Sequence, residues 1–177
     1  MTAAESPVGL SLEELIHQNA AAVRSIDRSD VSEAFVDTVD TILQTTDYGA
    51  AHHCQGHTFA IRQRENYIGL ILLGEALPWP TDPPEMRREL FYRLMGFVLD
   101  RRFRSRGFGS AALEMTVERV YADFGVRPIA LGCHRDNEAA ARFYLRHGFR
   151  KTAYMEGNDI YYLRYPGNSP GAGPFSA

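Results

Sequence analysis

Apolar positions along the chain switch between two periods, and the switches outline the elements. Ser11 to about Val23 reads as a first helix. Asp30 with Glu33 three residues on matches a capping box. Phe35, Val36, Val39, Ile42 and Leu43 then recur at helical spacing. His57 to Arg64 alternates and predicts a strand. Tyr67 to Gly74, YIGLILLG, predicts a second, with Glu65-Asn66 as the tight turn between them. Pro78, Pro80, Pro83 and Pro84 make the following stretch a loop. Phe91 to Asp100 is a third, strongly apolar strand. Leu113, Val117, Val120, Tyr121 and Phe124 mark one face of an amphipathic helix. Pro128 to Cys133 is a short buried strand, and Asn137 to His147 a helix closed by Gly148. Phe149–Met155 and Asp159–Arg164 form a last hairpin. This order predicts a mixed sheet with helices on both faces, an α/β (α+β) architecture.

Composition narrows the class. The chain has 177 residues, 45% hydrophobic and 23% charged, which is ordinary for a globular protein. That length predicts one domain, over residues 1–166, followed by a disordered Gly/Pro/Ser-rich tail, GNSPGAGPFSA, over 167–177. A net charge of -3 gives no global attraction to nucleic acid or to anionic membrane. Cys54 and Cys133 make no disulfide framework, which suits a reducing compartment. No apolar run reaches the ~20 residues of a membrane helix. The start, MTAAESPVGL, lacks the basic flank and apolar core of a signal peptide. A cytoplasmic location is the expectation. Lys151 is the only lysine, a coding bias rather than a functional signal.

The chemistry concentrates in RFRSRGFGSAALE, Arg102 to Glu114. A strand entering a glycine-bearing turn and then a helix points backbone N–H groups, and the positive end of the helix dipole, at one spot. Gly107 and Gly109 leave room for a phosphate, and Arg104 and Arg106 add cations. Gly107, Gly109 and Ala112 also fit G-x-G-x-x-A. That dinucleotide fingerprint wants an acid at the end of the next strand, and Pro128–Cys133 has none. A Walker loop fails because no Lys-Ser/Thr follows the second glycine. Further on, Asn137 heads a helix as a cap that can also meet a ligand. Tyr144, about two turns along, faces the same way with a phenol that can donate a proton. Taken singly, each half also reads as plain structure: a turn, a cap, a core aromatic.

Together, Arg104-x-x-Gly107-x-Gly109 and Asn137-x-x-Ala140-x-x-x-Tyr144-x-x-x-Gly148-Phe149 resemble the GNAT superfamily of acyl-CoA-dependent N-acetyltransferases. The resemblance covers Phe91 to about Arg164. It implies a mostly antiparallel central sheet with strands splayed at the cofactor site. A cofactor-binding core would occupy 91–165, and residues 1–90 would form the acceptor side. It also implies acetyl-CoA as cofactor, with the pyrophosphate held by Arg104, Ser105, Arg106, Gly107, Phe108, Gly109 and Ser110. Phe97, Val98 and Leu99 would offer backbone to the pantetheine arm, Asn137 would touch the cofactor, and Tyr144 would protonate the leaving thiolate. The amine attacks the thioester directly, and no metal is needed.

Less of the acceptor half is legible. Glu75 and His134 are the candidates for a general base, and Ala22–Ile26 for the family's first strand. His52, His53, Cys54 and His57 carry zinc-ligand chemistry, but no second ligand pair stands at a usual spacing, and no metal is expected. Glu75, Trp79, Asp82, Glu85, Glu156, Asp159, Tyr161 and Tyr162 combine carboxylates with aromatic faces, which suits a cationic amine. Phe149 to Tyr162 is similar to the polyamine and diamine acetyltransferase branch. The expected activity is acetyl transfer to a small-molecule amine. The alternatives are a protein amine as acceptor, a non-catalytic acyl-CoA-binding or sensing module, and a phosphate-binding regulatory module. A homodimer through Tyr154–Tyr165 is expected by analogy with the fold.

Overall fold

The computed structural model describes residues 7–167. In chain order its elements are β1 (Leu10–Glu14), α1 (Ala20–Arg24), α2 (Val39–Ala51), β2 (Gly56–Gln63), β3 (Asn66–Gly74), β4 (Tyr92–Leu99), α3 (Phe108–Phe124), β5 (Ile129–His134), α4 (Glu138–Arg146), β6 (Arg150–Glu156) and β7 (Asp159–Arg164). The strands form one sheet in the order β1-β2-β3-β4-β5-β7-β6. All neighbours run antiparallel except β4 and β5. The expected tail lies outside the described residues beyond Gly167.

Alternation along the strands sends side chains into two separate cores. Ile71, Leu73, Leu94, Leu99, Ile129, Leu131 and Cys133 pack with Leu113, Val117 and Val120 of α3. Leu70, Leu72 and Val98 pack on the other face with Val23 of α1 and Ile42 and Leu43 of α2. Helix α4 joins the α3 face through Ala140, Ala141, Phe143 and Tyr144. Each fully buried Leu or Ile stabilises by about 1.5–3 kcal/mol, so both helix layers are held mainly by the central strands.

Two predicted elements differ. The stretch expected as a helix from Ser11 is β1 followed by the short α1. Leu12, Leu15 and Ile16 fit helical spacing, but Leu10 and Leu12 alternate onto the α3 core while β1 pairs with β2 from Leu10↔Gln63 to Glu14↔Phe59. Edge pairing outweighs local propensity here. Ala22–Ile26, considered as a first strand, is α1 and its exit instead. The capping box at Asp30 starts no helix; α2 begins at Val39, with the Thr38 hydroxyl accepting from the Thr41 amide. The other strands and helices fall within a few residues of their predicted places.

The parallel pair shapes the molecule. β4 and β5 pair only at Tyr92↔Ile129 and Arg93↔Ala130, and then separate. On its other side β4 carries a bulge: Leu72 opposes Gly96 and Leu73 opposes Leu94, leaving Met95 unmatched. A bulge bends its strand and increases twist, so β4 turns away from β5 at the residues where pairing stops.

At the far end of β4, Asp100 is fully buried. Its carboxylate accepts from the Asp27 amide at 2.9 Å and from the Arg102 amide, Nε and Nη2 at 2.9, 3.0 and 2.6 Å. These bonds, Arg102's foremost, outweigh burial and hold the carboxyl far below the usual range. A depressed pKa contributes stability that is present above the unfolded-state value and lost as pH falls through the folded one. Asp100→Asn should therefore cost about 1–3 kcal/mol at pH 7. In urea unfolding the difference from wild type should shrink as pH drops below about 4.

Candidate active site

Within the segment Arg104–Ser110, Gly107 caps α3 at φ 80 and ψ -8, a left-handed conformation that glycine adopts without strain. Ser105 is left-handed as well, at φ 59. α3 has no side-chain cap, and its first bond at this end is the Ala111 amide to the Gly107 carbonyl. The amides of residues 105–110 donate to no described residue. Those of 108–110 belong to the first turn of the 17-residue α3, whose positive end favours an anion.

The two arginines of the turn differ. Arg104 Nε and Nη2 donate to the Leu99 carbonyl at 2.9 and 2.7 Å, and Nη1 donates to Asp30 at 2.7 Å. Its guanidinium ties the turn to β4 and to the α1–α2 connection. Arg106 is exposed, rests over the Phe103 ring at 5.9 Å, and has no ion pair among the described residues. Arg106 is thus the cation free to reach a phosphate.

Between cradle and cavity lies the opening between β4 and β5. Phe97 of β4 meets Phe143 of α4 across it, ring centroids 5.8 Å apart. Asn137 caps α4 by accepting from the Ala140 amide at 3.2 Å. Tyr144 packs edge-on against Phe143 and Phe149 on the α4 face, and its hydroxyl bonds to no described residue. Burial foremost, and then the Cys133 thiol, push its phenol well above the ordinary value, so it stays protonated at neutral pH. The same burial lifts Cys133 to about 11.

A cavity of about 960 Å³ opens on the opposite, α2 face. Arg93–Met95 and Ala130–Gly132 form its floor where the strands part, and Tyr48, Leu77 and Trp79 stand exposed in its wall. Asp159 of β7 lies across Gly132: a Cβ there would come within 3.3 Å of the Asp159 Cβ and 3.4 Å of Oδ2. Its carboxylate has no hydrogen-bond or ion-pair partner among the described residues. Burial foremost raises its pKa; Glu156 and Asp37 add to the rise and His134 opposes it. Asp82 is buried in an ion pair with Arg93, and the Tyr161 hydroxyl joins them, 3.3 Å from Asp82, 3.1 Å from Thr81 and 2.9 Å from Glu156.

Neither base candidate from the sequence is unengaged. Glu75 lines the cavity, but it pairs with Arg127 and accepts from the Gln55 amide; these overcome burial and lower its pKa. His134 packs tilted against Phe35, ring centroids 5.0 Å apart, and accepts from the Asp136 amide through Nδ1. Glu85 has a buried carboxylate oxygen without a partner, and Tyr162 is buried in the α3-side core. Among the His/Cys cluster, His52 stacks on Tyr48 at 4.0 Å while His57 bonds Asp123 at 2.7 Å. Among the described residues no three His, Cys, Asp or Glu side chains converge as a metal site, and no helix is long and apolar enough to cross a membrane.

Sequence reasoning missed the connection from Asp27 to Asp37. It crosses the end of the cleft, held by Asp27 to Asp100 and Arg101, by Asp30 to Arg104, and by Phe35 to His134. Its anchors lie about seventy positions or more away in the chain, so no local pattern announces them.

The turn thus leaves unpartnered amides at the start of α3, and the opposite face of the sheet carries a cavity lined in part by carboxylates. The model of the acetyltransferase (GNAT) family matches residues 21–149, and the chain belongs to that family. No curated protein sequence matches it significantly. Among solved structures it is similar to an acetyltransferase from Thermus thermophilus, with TM-score 0.64 and 20% identity over 89% of this chain and 97% of that one. It is also similar to the PaiA N-acetyltransferase of Thermoplasma acidophilum, solved with coenzyme A, at TM-score 0.63 and 13% identity over 88% and 98%. A GNAT family acetyltransferase from Elizabethkingia anophelis with acetyl-CoA bound gives TM-score 0.57 and 12% identity over 90% and 99%. These likenesses show the fold.

Because Arg104 is an anchor, Arg104→Met should lower stability by about 1–2 kcal/mol. It should also speed amide exchange across residues 27–37, measured by hydrogen–deuterium exchange.

Proposed function

We propose that the chain transfers an acetyl group from acetyl-CoA to a primary amine on a small cationic molecule. The observation that carries the acceptor class is Asp159, an unpartnered carboxylate laid across Gly132 where the cavity meets the parted strands. A cationic amine supplies the charge that Asp159 lacks, and the exposed Tyr48, Leu77 and Trp79 suit an apolar stem.

The donor side rests on the family and on the cradle. The amides of 105–110 and the Arg106 guanidinium hold the pyrophosphate, and the edge of β4 at Phe97–Leu99 faces the pantetheine arm, with Asn137 beside it. When bound, acetyl-CoA supplies the thioester carbonyl that the amine attacks. Asp159 takes a proton from the ammonium to free its lone pair. The C–N bond forms and the C–S bond breaks. Tyr144 gives its phenolic proton to the departing sulfur and recovers one from the proton the nitrogen sheds. Asp159 returns its own proton to solvent. The net reaction consumes ammonium and thioester and yields amide, thiol and one proton. Positioning within the cleft contributes most of the rate, and the acid at Tyr144 about 10²–10⁴-fold.

The first assay is thiol release from acetyl-CoA with a panel of mono-, di- and polyamines and with a peptide bearing a free N-terminus. Turnover of the small amines with the peptide inert supports the reading; the reverse preference contradicts it. Tyr144→Phe should lower kcat by about 10²-fold or more while coenzyme A affinity changes little. Retained turnover with the best amine would exclude the acid role. Asp159→Asn should lower kcat/KM for the amine and remove the acid limb of its pH profile. That limb falls as pH drops, because the raised carboxyl is then protonated.

A further inference from the structure

Beneath the cradle runs a chain of polar side chains that acetyl transfer does not use. His147, buried at the end of α4, lies with Nε2 3.0 Å from the Ser110 hydroxyl and Nδ1 3.0 Å from Glu114 Oε1. Arg164 of β7 donates to both oxygens of Glu114, at 3.0 and 2.8 Å. Burial opposes the charge on Glu114, but the bonds from His147 and Arg164 prevail and keep it ionised. Tyr121 of α3 is the further titratable group beside this pair, and Phe143 of α4 covers the imidazole at 4.5 Å.

Proton counting fixes the direction of each bond. An ionised carboxylate only accepts, so His147 Nδ1 carries hydrogen. In neutral His147, Nε2 is then an acceptor, and Ser110 must donate its single hydroxyl proton inward. Ser110 then shows only lone pairs to the cradle, which repel an anion. In protonated His147, Nε2–H donates to the Ser110 oxygen, and the hydroxyl proton is free to turn towards a phosphate.

We infer that His147 sets the donor direction of Ser110 and thereby couples coenzyme A binding to the uptake of a proton. His147 acts as a positioning residue through Ser110. The inference rests on the reading of the 105–110 turn as a pyrophosphate cradle.

The test is calorimetric titration of the intact chain with 3′-dephospho-coenzyme A, which keeps the pyrophosphate and lacks the titrating 3′-phosphate. Titrations in two buffers of different ionisation enthalpy, across about pH 6–8 where histidine titrates, count the protons. Wild type should take up a proton, to a limit of about one, and its Kd should tighten severalfold towards pH 6. His147→Gln should bind with a flat Kd and no uptake. Ser110→Ala leaves the imidazole in place; it should bind about tenfold more weakly and lose most of the uptake. Binding by wild type without uptake, or Ser110→Ala keeping full uptake, overturns the coupling and leaves the cradle standing. No binding by wild type at any of these pH values overturns the cradle and the coupling with it.

Discussion

The structure depends on a pairing that stops short. β4 and β5 share two register pairs and then part, which exposes one edge of each strand inside the molecule. Unpaired backbone in a protein interior is costly unless something else meets it. Here the gap is bounded rather than filled. The Met95 bulge turns β4 aside, aromatic rings of Phe97 and Phe143 meet across the opening, and the Asp27–Asp37 connection crosses its end. An opening so maintained is a place for an extended ligand to satisfy the strand edge.

The two sheet faces divide the chemistry. On the α3–α4 face stand the unpartnered amides of the 105–110 turn and the Tyr144 phenol. On the α2 face stands the cavity with its unpaired carboxylate. In the proposed reaction a donor lying in the cleft would meet Tyr144 on one side and Asp159 on the other, so opposite proton transfers need not compete for one group. Environment, more than residue type, separates these roles. Glu75 and Asp159 are both carboxylates lining the cavity, but Arg127 neutralises one while burial and like charges raise the pKa of the other.

Much of the central sheet, and of the stretch from Phe91 onward, was legible in the chain. Gly107 and Asn137 serve a turn and a helix cap whose signals are local, and strong apolar runs gave β3, β4 and β5. What was not legible takes its order from long-range contacts. β1 looks helical until β2 offers it an edge. Arg104 reads as a phosphate ligand until Leu99 and Asp30 occupy its guanidinium. Asp159 stood among eight acceptor-side residues, and only its placement over Gly132 sets it apart. The Ser110–His147–Glu114–Arg164 chain joins residues of three elements, with no motif to mark it.

The central claim, that the parted strands and the turn at Arg104–Ser110 receive one extended cofactor, is tested most directly by brief hydrogen–deuterium exchange with and without acetyl-CoA. The account predicts new protection at the amides of 105–110 and along β4 beyond Met95, with the β2–β3 hairpin unchanged. Protection elsewhere, with these two segments exchanging as before, would contradict it.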